Sequence, residues 1–246
     1  HAKGTTVIDN AAREPELSDL CNFLVSMGAQ IEGIGSSTLV VHGVQPGDLH
    51  AADHRVVADR IQAATYLAAV AVSGGEVTLR GACAEHMEML LRRFHDMGLT
   101  VTTVGDGLAV WANGRLRSID VATLPYPGIA TDYKPLIVTM LSVADGVGIV
   151  TENLYPGRFR YVEELQRLGA DIRADGHHAV VRGVPHLSGA PVRAPDIRAG
   201  AALIVAGLAA EGDTTVTGVH HIDRGYDDLV GRLAALGADI ERVPAS

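Results

Sequence analysis

Three stretches of the chain are apolar on nearly every side. They run over 61–72, 136–144 and 199–210, and the third has almost no polar position. A helix that is apolar all round is buried all round, so the pattern predicts three core helices. An aspartate precedes each of them: Asp59, Asp132 and Asp196. A carboxylate there is expected to accept from the unpaired N–H groups of the first turn and to complement the helix dipole. Elsewhere the pattern is two-sided. Residues 161–169 alternate as a one-faced helix that stops at Gly169, a residue that accepts the left-handed backbone past a helix end. The β-branched runs Thr5-Thr6-Val7-Ile8 and Thr214-Thr215-Val216-Thr217 read as strands, as does Ala179-Val180-Val181-Arg182-Gly183.

These elements recur. Met27-Gly28-Ala29-Gln30-Ile31, Met97-Gly98-Leu99-Thr100-Val101, Leu168-Gly169-Ala170-Asp171-Ile172 and Leu236-Gly237-Ala238-Asp239-Ile240 are variants of one segment, with glycines 70, 71 and 68 residues apart. A second glycine, at Gly4, Gly75, Gly146 or Gly212, lies 23 to 25 residues before each. Fixed-period similarity marks a duplicated unit. Seventy residues is too long for a solenoid repeat and fits a small module of strand, helix, strand, turn and strand. The last three modules each own an apolar helix before their first glycine. The first does not, because His1-Ala2-Lys3 leads straight into Gly4. The chain is therefore expected to start inside a module, with sequence upstream of it.

Bulk numbers narrow the picture little. With 246 residues, 47% of them hydrophobic and only 4% aromatic, the core is expected to be built of Val, Leu, Ile and Ala. A net charge of −9 excludes a general basic surface for nucleic acid. No apolar run approaches the ~18 residues of a membrane span. Two cysteines without metal-type spacing fit a reducing, cytoplasmic setting. Cys21 reads as a small buried hydrophobe. Cys83, in Gly81-Ala82-Cys83-Ala84, stands at an expected helix entry, where the dipole lowers a thiol pKa.

The candidate chemistry sits in loops. Neither a Gly-x-Gly-x-x-Gly nor a Walker pattern is present, and Gly35-Ser36-Ser37 and Gly105-Asp106-Gly107 read as turns. Pro15 suits a first helical turn. His177-His178 reads as part of a hairpin turn and His220-His221 as a loop between strand and helix. Thr131-Asp132 at a buried helix start is the candidate for acid–base work, against the plainer reading of a cap. Arg158, Arg198 and Arg224 fall at what should be one end of their modules, and Arg13 takes the corresponding place in the first. Guanidiniums converging near helix N-termini would make an anion site for carboxylate and phosphate.

Taken together, several stretches resemble the C-terminal part of the enolpyruvyl transferases, in particular those acting on a UDP-sugar. They are Gly4-Thr5-Thr6-Val7-Ile8-Asp9-Asn10-Ala11-Ala12-Arg13-Glu14-Pro15-Glu16, Asp59-Arg60-Ile61, Pro125-Tyr126-Pro127-Gly128 with Thr131-Asp132, Thr151-Glu152-Asn153 with Arg158-Phe159, Asp196-Ile197-Arg198-Ala199, and His221-Ile222-Asp223-Arg224-Gly225-Tyr226. The resemblance implies an inside-out α/β barrel of repeated βαβαββ units. Residues 1–56 would be the last unit of an N-terminal domain and 57–246 most of a C-terminal one. It implies transfer of the enolpyruvyl group of phosphoenolpyruvate to the 3′-hydroxyl of UDP-N-acetylglucosamine, a step of peptidoglycan synthesis, with neither cofactor nor metal. It assigns Asp132 as hydroxyl base and sugar contact, and Leu154 as a backbone contact to the nucleotide sugar. Arg158, Arg198 and Arg224 would hold phosphoenolpyruvate, and Asp196 would orient Arg198. The family's proton donor would lie upstream, in a missing N-terminal half of the same protein. Lys134 stands where the resemblance would have Gln. The alternatives are a related transferase acting on another nucleotide, a nucleotide-sugar-binding repeat domain without chemistry, and enolpyruvylshikimate phosphate synthase, which shares the fold.

Overall fold

The computed structural model of the chain describes residues 1–155 and 157–243. All eight glycines of the repeat adopt left-handed backbone, from φ 83° at Gly4 to φ 107° at Gly28. A β-carbon is costly in that region, so the repeat is kept by backbone geometry as well as by its apolar positions.

Two units can be separated. The first comprises 1–58 with 125–127. Strand β1 (Thr5–Asp9), helix α1 (Pro15–Ser26), β2 (Gln30–Glu32) and β3 (Thr38–His42) follow one another. Their sheet has the order β1-β3-β2, antiparallel throughout. Pro15 opens α1, where its missing N–H costs nothing. Cys21, on α1, is buried as expected.

The second unit comprises 59–124 and the chain from 128 on. Its first module is α2 (Arg60–Ser73), β4 (Glu76–Leu79), α3 (Glu88–Met97), β5 (Leu99–Val104) and β6 (Gly107–Ala112), with sheet order β4-β6-β5. Gly105 and Asp106 form the two-residue turn between β5 and β6. Next come β7 (Val121–Ala122), α4 (Lys134–Val143), β8 (Val147–Thr151), α5 (Val162–Arg167), β9 (Asp171–Asp175) and β10 (His178–Arg182), in the order β7-β8-β10-β9. In the first of these sheets β6 lies between β4 and β5, and in the second β10 lies between β8 and β9.

The final module departs from this plan. It holds β11 (Leu187–Ser188), β12 (Pro191–Arg193), α6 (Ile197–Leu208), β13 (Ala210–Glu211), β14 (Thr215–Thr217), α7 (His220–Asp223) and α8 (Leu229–Ala235). Its pairs, β11 with β13 and β12 with β14, are parallel. The strand expected after Gly237 does not form over 238–243, where no neighbouring strand pairs with it among the described residues. Ala210 belongs to a strand rather than to the helix end, and His220-His221 open a short helix rather than a loop.

Helices α2, α4 and α6 pack on one another. Leu67, Ala68, Leu136, Val138, Leu203 and Val205 are all but inaccessible. The sheets lie outside them: β6 packs on α2, while β8 and β10 pack on α4. Helices within and sheets without make the inside-out α/β barrel that the resemblance implied. Alanines at 63, 64, 68, 69 and 71 of α2 and at 199, 201, 202 and 206 of α6 are buried, which brings helix backbones close and dispenses with large aromatic side chains. Among the described residues no helix is long and apolar enough to cross a membrane.

Two of the three aspartates cap as expected. Asp59 Oδ1 accepts from the N–H groups of Ile61 and Gln62, at 2.8 and 3.1 Å. Asp196 Oδ1 accepts from those of Arg198 and Ala199, both at 2.9 Å. Asp132 does not cap. A single 3-10 turn, Thr131–Tyr133, leads into α4, and Pro135 in the first turn has no N–H to offer. Its carboxylate is thereby left for other partners.

Candidate active site

The 3-10 turn before α4 holds Asp132 with its side chain one-third exposed, and two arginines from later in the chain close on it. Arg158 Nη1 donates to Oδ1 at 3.2 Å and Arg198 Nε to Oδ2 at 3.1 Å. Each carboxylate oxygen thus receives one guanidinium. Charge-assisted bonds of this kind are about twice as strong as neutral ones; Arg158 Nη1 also reaches Thr131 Oγ1 at 3.4 Å, and Arg198 Nη1 is buried.

Arg198 is held from three sides. Asp196 fixes its backbone N–H. Asp132 takes its Nε, and the Tyr226 ring lies 5.7 Å from the guanidinium carbon. Burial works against its charge, and Tyr226 and Asp132 more than offset that, raising its pKa above the ordinary arginine value. Tyr226 is itself anchored, its hydroxyl 2.8 Å from that of Thr65 on α2. Asp196 therefore grips the main chain of Arg198, while Asp132 orients the guanidinium.

Beneath Asp132 lies a polar cluster that the sequence reading missed. Glu152, at the end of β8, is wholly buried. Its Oε1 accepts from Thr123 Oγ1 at 2.7 Å, from the Leu154 N–H at 2.8 Å and from the Tyr155 N–H at 3.1 Å. Its Oε2 accepts from Thr131 Oγ1 at 2.6 Å and lies 2.7 Å from Lys134 Nζ, also wholly buried. The lysine contact has ion-pair distance but lies off hydrogen-bonding angles, and the ammonium also sits 4.1 Å from the centre of the Phe159 ring. Burial pushes the Glu152 carboxyl up; Lys134 first, then Thr131, Thr123 and the Leu154 N–H, overcome that and hold it down to about 2. Burial pushes the Lys134 ammonium down, and Glu152 opposes this. One signal was available: a lysine at the head of an apolar helix must find a buried counter-charge.

The remaining candidates divide. Leu154 spends its N–H on Glu152, so only its carbonyl is open to a ligand. Arg224 is exposed at the end of α7 and makes no ion pair or side-chain hydrogen bond among the described residues. The structure therefore brings Asp132, Arg158, Arg198 and Asp196 together, and Arg224 directly precedes Gly225 and Tyr226, which lie beside the Arg198 guanidinium. Arg13, in the first unit, donates to the Tyr126 carbonyl at 3.0 Å. His177 and His178 are exposed, with His178 already in β10. Cys83 is no activated thiol. Burial, then its hydrogen bond to Glu85 at 2.9 Å, pushes its pKa up, against the expected helix-end effect.

The barrel of buried helices and its guanidinium-flanked carboxylate place the chain in the class of carboxyvinyl, or enolpyruvyl, transferase folds. The sequence pattern of the EPSP synthase (3-phosphoshikimate 1-carboxyvinyltransferase) family matches residues 1–233, and the chain belongs to that family. It is 52% identical over 242 residues to a UDP-N-acetylglucosamine 1-carboxyvinyltransferase of Mycobacterium leprae, covering 98% of this chain and 57% of the relative. It is 50% identical to the protein of that name from Nocardia farcinica, covering 98% and 56%. Among solved structures, the enolpyruvyl transferase NikO from Streptomyces tendae superimposes with a TM-score of 0.87 at 30% identity, covering 98% of this chain and 57% of that one. An EPSP synthase from Acinetobacter baumannii, at 19% identity and a TM-score of 0.76 over 99% and 59% of the two chains, shares the fold. The chain thus spans somewhat over half the length of the curated relatives it matches. The resemblance read from the motifs is borne out.

Proposed function

We propose that this chain supplies part of a cytoplasmic enzyme of peptidoglycan synthesis. The reaction transfers the enolpyruvyl group of phosphoenolpyruvate to the 3′-hydroxyl of UDP-N-acetylglucosamine and releases phosphate. The observation that carries the reading is the partly exposed Asp132 carboxylate between two guanidiniums, in a chain 52% identical to relatives bearing that activity in their name.

The chemistry assigns the parts. Protonating the methylene carbon of phosphoenolpyruvate makes the neighbouring carbon electrophilic. The sugar hydroxyl adds there as Asp132 takes its proton, giving a tetrahedral adduct. Loss of a proton from the new methyl group and departure of phosphate restore the double bond. A carboxylate suffices as base here because the hydroxyl proton leaves only as the carbon–oxygen bond forms. Arg158 and Arg198 have N–H groups to spare for the carboxylate and phosphate of phosphoenolpyruvate. Asp196 supports Arg198 through its backbone, Leu154 offers its carbonyl to the nucleotide sugar, and Arg224 joins when ligand is bound. The proton donor for the methylene carbon, and the other domain, belong to sequence upstream of this chain.

The full-length protein is expected to release phosphate from phosphoenolpyruvate only in the presence of UDP-N-acetylglucosamine. Asp132→Ala should lower kcat by about 10²- to 10⁴-fold, the usual contribution of a positioned acid or base; normal turnover by that variant removes the base assignment. Lys134, where the resemblance would have Gln, favours as second reading a related transferase acting on another nucleotide. Phosphate release with a different nucleotide and none with UDP-N-acetylglucosamine would establish that one.

A further inference from the structure

Glu152 collects four hydrogen bonds and the Lys134 ion pair from three stretches of chain, and those stretches carry the site. Thr131 is the residue before Asp132. Leu154 and Tyr155 begin the loop that reaches Arg158. Thr123 ends the β7 segment, and its carbonyl also accepts from Asn153 Nδ2 at 3.1 Å. We propose that Glu152 is a positioning residue for Asp132 and Arg158, with Lys134 as its fixed counter-charge. The inference rests on the proposed reading of Asp132 and Arg158 as substrate-facing groups.

Only a carboxylate fits the place. It accepts at about four lone-pair sites and donates nothing. An amide in the same position would aim two donors at the oxygen-poor side, where Lys134 stands. A buried carboxylate also needs a cation, and Arg158, whose Nη1 lies 3.4 Å from Thr131 Oγ1, is a second cation near this cluster. If Arg158 served Glu152, Asp132 would lose one of its two guanidiniums. Lys134, inaccessible at the head of α4 and pinned against Phe159, neutralises Glu152 from below and leaves Arg158 with Asp132.

The test compares two double variants of the full-length protein. Lys134→Met with Glu152→Met removes charge and tethers together. Lys134→Met with Glu152→Gln removes the charge and keeps an acceptor oxygen. Two readouts are taken: amide exchange at Leu154 and Tyr155 without substrate, referenced to amides of α6, and the separate kcat and KM for phosphoenolpyruvate. With both methionines, exchange at those two amides and KM are each expected to rise by about tenfold, the size of one hydrogen bond lost. The α6 amides stay protected, and kcat changes less than KM. With Gln, both rises are smaller. Equal exchange in the two double variants and the wild type overturns the proposal, as does faster exchange with an unchanged KM. Should the methionine pair fail to fold, Thr131→Val removes one tether to Glu152 together with the longer 3.4 Å bond from Arg158 Nη1, and is expected to raise KM by roughly threefold; no change there overturns the proposal equally. Absence of turnover in the wild type would instead defeat the functional reading, and the exchange comparison would still decide whether Glu152 holds the loop.

Discussion

A single side chain can couple stability to acidity. Glu152 is held down to about 2, against an ordinary value of 4.5. Its folded-state pKa is the lower one, so its stabilisation is fully present above about pH 4.5 and is lost as pH falls towards 2. Protonating it also strands the buried Lys134 charge, which acts in the same direction. The difference corresponds to roughly 3 kcal/mol. Denaturant melts of the wild type between pH 5 and pH 2 should show this loss, and Glu152→Gln should flatten that limb; an unaltered slope would show that the carboxyl titrates near its ordinary value in the fold. Residue-level chemistry was only partly legible in the sequence. Asp132 and the arginines stood out because they are charged residues at module ends. Glu152 did not, because nothing local shows that it is buried: its partners come from positions 123, 131, 134, 154 and 155, and only the closed fold gathers them.

At the level of elements, the three core helices were legible because an apolar surface on every side has one physical meaning. Their starts were less so. Asp59 and Asp196 cap, whereas Asp132 looks identical in sequence and does not, because a 3-10 turn and Pro135 intervene. Strand assignments failed where pairing decides. Residues 238–243 carry the repeat's pattern and have no partner strand among the described residues. Packing between elements gives a sharp expectation at Gly200 on α6. A β-carbon there would lie 2.6 Å from Ile222 Cγ1 of α7 and 2.9 Å from Ala194 Cβ. Gly200→Ala, which elsewhere in a helix would stabilise, should instead cost about 1–3 kcal/mol, read from the urea midpoint at constant slope. A midpoint at or above the wild type would mean that α7 yields without penalty.

For the whole molecule, the repeat made the fold class readable: modules return about every seventy residues with the same left-handed glycines, and only the last departs from the shared sheet plan. The barrel's core also has a clear boundary. Every residue of its continuous buried cluster lies at or beyond Ile61. A chain beginning at Asp59 is therefore expected to keep a cooperative thermal transition, with far-ultraviolet circular dichroism showing the helices retained. A molten, non-cooperative profile would reveal that residues 1–58 are needed for the core to close.

The three axial helices are separated in sequence by whole modules, and the last of them, α6, ends only at Leu208. During synthesis, α2 and α4 leave the ribosome as greasy rods with one side still waiting for a partner. Closure comes late, when the third rod arrives, and until then the growing polypeptide presents the kind of surface that chaperones hold and that aggregates recruit.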